Sequence, residues 1–117
     1  MKESLKKFYE YLASDEELMY FVRMNGEWNE KSFCEMKKLV KDVMEDYAKE
    51  EFYPKQFVLY FVREIPSIVN ILSQIKICTE ENILKGYTQE TYMSMLADKV
   101  RQLEELKWEF TKSLSVL

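Results

Sequence analysis

The sequence predicts an all-α fold, a helical bundle of five or six helices forming one domain over residues 1–117, and three observations carry that expectation. Only two glycines and two prolines occur in 117 residues, where average usage would supply about 14 of the two types together. All-β chains need turn residues at every hairpin, so the scarcity favours a few long helices with short connections. Apolar residues recur at helical spacing along most of the chain, and at 47% hydrophobic and 32% charged a chain of this length can bury one core without staples.

In LKKFYEYL, Leu5, Phe8, Tyr9 and Leu12 fall at i, i+3, i+4 and i+7, one face of a short first helix. Ser14 followed three residues later by Glu17 reads as a capping box, so a second short helix is expected to start near Asp15. It should stop at Asn25-Gly26, because glycine takes the left-handed conformation after a helix cheaply. Asn29 is the next N-cap, and Phe33, Met36, Val40, Val43 and Tyr47 step by three and four, widened by Met44. They mark a bundle helix near 30–51 with one buried face.

Residues 52–77, FYPKQFVLYFVREIPSIVNILSQIKI, are the most apolar part of the chain and hold both prolines. A strand made of FVLYFV would have no neighbour to pair with. A membrane span would place Arg63, Glu64, Asn70 and Gln74 in or near hydrocarbon. As a helix near 54–77 the segment is coherent: Arg63, Ser67, Asn70 and Gln74 form one polar line, opposite an apolar band of Phe57, Phe61, Ile65, Ile68, Leu72 and Ile75. Val58, Val62 and Val69 are expected to broaden that band. Pro54 suits the first helical turn, whereas Pro66 has no amide to give to Val62, so a kink or short break is expected there and the bundle has a Pro-kinked central helix. Glu64 falls at the edge of the apolar band.

Thr79, two acids and Gly86 bracket a short connector helix over 80–85. Thr88 then caps a long last helix over 89–114, whose Tyr92, Met93, Leu96, Val100, Leu103, Leu106, Phe110 and Leu114 stay within one arc. The three long helices are expected to form an up-down core with the bent one central.

No histidine occurs in the chain, which excludes Ser-His-Asp and Cys-His catalysis, His-ligated zinc and Glu-x-x-His di-iron sites. No glycine-rich loop is present to cradle phosphates, and Cys34 and Cys78 have no metal-ligand spacing. Both cysteines are expected as free buried thiols. The charged start of the chain lacks a secretory pattern, and a reduced, cytoplasmic setting is expected. A net charge of −4 gives no general support for binding nucleic acid, and Lys6-Lys7, Lys37-Lys38 and Lys41 each have acids beside them.

These absences point away from an enzyme, with no catalytic residue, metal or cofactor assigned. They favour a small acidic protein that works through a protein–protein interaction, as an inhibitor, an immunity protein or a regulatory subunit. Two alternatives accompany that reading. One is a magnesium-dependent phosphohydrolase using Glu27, Glu30, Asp42 and Glu45; the other is a structural protein that self-associates, as a homodimer, through its last helix. With 15% aromatic residues, an interface is expected to use those that the core does not claim: Trp108, off the apolar face of the last helix, and Trp28, after Gly26. Arg63, Glu64 and Asn70 complete the expected partner-binding set.

Overall fold

A computed structural model describes residues 1–114. Among them the order is α1 (Glu3–Leu12), α2 (Leu18–Asn25), α3 (Glu30–Asp46), α4 (Lys55–Leu59), a π-helical turn (Tyr60–Glu64), α5 (Ile65–Gln74), α6 (Glu80–Leu84) and α7 (Gln89–Leu114). The stretch from α4 through the π turn to α5 is continuous, so the described residues hold six helices and no strand. The fold is an all-α bundle. Its extents of 47 × 30 × 19 Å correspond to two helix layers, each about 10 Å thick, with α7 running much of the long dimension at about 1.5 Å per residue.

Local chemistry explains most of the helix ends. Gly26 closes α2 at φ 59, in the left-handed region. Asn29 accepts the Ser32 amide at 2.8 Å and opens α3, and Thr88 accepts the Thr91 amide at 3.1 Å and opens α7. Two helices end earlier than expected, α3 at Asp46 with Tyr47 as cap, and α5 at Gln74, where Ile75 turns extended. Pro54 precedes the first turn of α4 rather than occupying it.

The start of α2 departs from expectation. The Ser14 hydroxyl donates to the Tyr11 carbonyl at 2.7 Å and accepts the Glu16 amide at 3.2 Å, which holds residues 13–17 in turns instead of a capping box. The helix begins at Leu18, where Glu17 accepts the Met19 amide at 3.0 Å and the Tyr11 hydroxyl accepts the Leu18 amide at 2.8 Å. That hydroxyl also lies 2.8 Å from Ser32 Oγ, which donates to the Glu16 carbonyl at 2.6 Å. Tyr11 and Ser32 are both buried, so one satisfied polar knot ties α1, the 13–17 turn, α2 and α3 together.

The interruption expected at Pro66 takes the form of a π turn. The Ile65 amide donates five residues back, to the Tyr60 carbonyl, and the Ser67 hydroxyl donates to the Arg63 carbonyl at 2.8 Å. At about 100° per residue Phe57, Phe61 and Ile65 drift by about 40° per step and stay within one apolar face. All three are essentially inaccessible, together with Tyr60. Val62 is 62% exposed, rather than broadening the apolar band.

Aromatic rings fill the centre. Phe61 stacks on Phe110 of α7 with ring centroids 4.1 Å apart, and Phe57 meets Phe110 edge-on at 5.7 Å. On the other side Phe8 of α1 contacts Phe57 and Tyr60, both near-perpendicular. The interrupted helix is therefore the central member, flanked by α1 and α7. Phe33, Met36, Val40 and Val43 of α3 are fully buried, as their spacing predicts. Cys78 is buried, but Cys34 is exposed on α3, contrary to expectation. Among the described residues no helix is long and apolar enough to cross a membrane.

The Tyr11 knot has a pH signature. Burial pushes the Tyr11 hydroxyl from the ordinary 10.0 up to about 12, against the opposing hydrogen bonds of Ser32 and Leu18. Between those values the folded state keeps a proton that the unfolded state has lost, so stability falls as pH rises. At about 1.4 kcal/mol per pH unit, Tyr11 accounts for a loss of about 3 kcal/mol. Tyr11→Phe should lower stability at neutral pH by about 1–3 kcal/mol, because it strands the Leu18 amide. It should also make the decline above pH 10 shallower in denaturant titrations; an unchanged alkaline decline would contradict the knot.

Candidate functional site

Two stripes of side chains face each other across the outer side of α5 and α7. From α5 come Ile65, Pro66, Val69, Asn70 and Ser73; from α7 come Glu104, Lys107, Trp108 and Thr111. On each helix the members recur at three- and four-residue steps, so they share a face. Together they line an open groove of about 460 Å³, within the range of clefts that hold a partner's side chains or a small ligand.

The floor is apolar and the rim polar. The half-buried Pro66 and Val69 present ring and methyl surface, and the buried Ile65 closes the bottom. Trp108 is 62% exposed on the opposite wall. Its neighbours at i±3 and i±4 carry little apolar bulk toward it: Glu104 and Thr111 on its own helix, Asn70 and Ser73 across the groove. Val62, exposed one turn before Pro66, continues the apolar strip beyond the groove. Neither Glu104 nor Lys107 forms an ion pair among the described residues, whereas Arg101, on another side of α7, engages both Asp98 and Glu105.

Of the five residues expected at an interface, Trp108 and Asn70 come together in this groove. Arg63 and Glu64 lie elsewhere, near α2. The Arg63 Nε donates to Glu64 Oε1 at 2.9 Å, with the arginine 67% exposed and the glutamate 29%.

Trp28 is occupied by the fold. Its ring lies 4.9 Å from that of Phe33, and its Nε1 donates to Glu30 Oε1 at 2.9 Å. Lys99 of α7 completes a clamp by pairing with Glu30 at 2.8 Å while its ammonium sits 5.8 Å from the Trp28 ring centroid and 5.6 Å from that of Phe33. Burial alone would raise the Glu30 carboxyl, but the bonds from Lys99 and Trp28 outweigh it and hold the group below its ordinary value.

The acids of the magnesium alternative do not converge. Glu30 is engaged with Lys99, and Asp42 with Lys38 at 3.3 Å on the outer face of α3. Among the described residues no group of three or more acidic or cysteine side chains is arranged to hold a metal ion. The other seven residues lining the groove were not expected at an interface: Pro66 is expected from the sequence to kink the helix and Val69 to broaden its apolar band, whereas both form the groove floor.

Comparison with protein-family models, with curated proteins and with solved structures found no match to this chain.

The two tryptophans should separate cleanly in stability. Trp28→Ala removes ring packing, a charge-assisted hydrogen bond and a cation–π contact, and should cost about 2 kcal/mol or more in urea unfolding. Trp108→Ala should fall within about 0.5 kcal/mol of the wild type, as exposed substitutions do. Equal losses for the two would mean that Trp108 belongs to the core.

Proposed function

We propose that this protein is a binding module that grips a partner protein through the α5/α7 groove, and that it acts as an inhibitor, immunity or regulatory protein by occupying that partner. The observation that carries the reading is Trp108, a large exposed indole standing over an apolar floor of Pro66 and Val69, with hydrogen-bonding side chains at the rim. Interfaces are enriched in such aromatic anchors, and a few of them supply most of the binding energy. Facing stripes on two helices favour a linear occupant: a helix or extended segment of the partner that places an apolar side chain between Trp108 and Pro66, and a second beside Val62. Asn70 and Ser73 would meet the polar groups flanking that anchor, while Glu104 and Lys107 offer one charge of each sign for register.

Capture experiments on lysate from the native source, read by mass spectrometry, test the proposal. A partner held by the wild type should be lost from Trp108→Ala and from Val69→Glu, each by about 2 kcal/mol or more of binding. It should be retained by Lys38→Ala, on the far face. A partner retained equally by both groove variants places the interface elsewhere; recovery of the same chain instead of another protein would identify the groove as a self-association surface.

A further inference from the structure

We draw no further inference here: the strongest candidate, the apolar surface that Ile77, Ile83 and Leu84 expose on and just before α6, carries nothing because nothing in the structure shows what covers it.

Discussion

The missing amide of Pro66 is the constraint around which the rest of the bundle is arranged. A proline in the middle of a helix removes one rung of the hydrogen-bond ladder and crowds the preceding turn. Here the helix responds by widening for one turn over Tyr60–Glu64 instead of breaking. Its inner face keeps Phe57, Phe61 and Ile65 in line against α1 and α7. Its outer face carries Pro66 and Val69 into the groove beneath Trp108. One local irregularity thus serves the core and the candidate groove.

Two kinds of adhesive hold the helices to this centre. The first is aromatic and non-directional in the main, a run of rings from Phe8 through Phe57 and Phe61 to Phe110 that joins three helices. The second is polar and specific. The Tyr11–Ser32 knot fixes where α2 begins, and the Trp28–Glu30–Lys99 clamp fixes the start of α3 against α7. Hydrophobic burial supplies the larger share of the driving force, and the polar contacts select one arrangement of short helices that packing alone would leave loosely specified.

What was legible in the sequence follows the range of the interactions. Signals contained within a few residues were readable: Asn29 and Thr88 as caps, Gly26 as a stop, the α3 seam and the α7 face. Ser14–Glu17 had the right spacing for a capping box, but the decisive partner of that helix start is Tyr11, seven residues before Leu18 and anchored on Ser32 of a different helix. The polar line Arg63, Ser67, Asn70 and Gln74 was correctly placed outside the core, while Val62 was not: it lies more than about 100° from the centre of the apolar band in a 3.6-residue count and is 62% exposed. Trp108 was visible as a misfit to the apolar face of its helix, and Asn70 as a member of the polar line. That they share one groove depends on how α5 and α7 dock, which no periodicity encodes; Trp28 looked equally anomalous until Glu30 and Lys99 were seen to enclose it.

The displaced ladder at Pro66 is therefore the feature to measure. Through-hydrogen-bond scalar couplings between amide nitrogens and carbonyl carbons, recorded on isotopically labelled protein, identify each backbone partner directly. The register described here predicts a coupling from the Ile65 nitrogen to the Tyr60 carbonyl carbon, five residues back. A coupling from Ile65 to Phe61 instead would show a regular α-helix and contradict a π turn at Pro66.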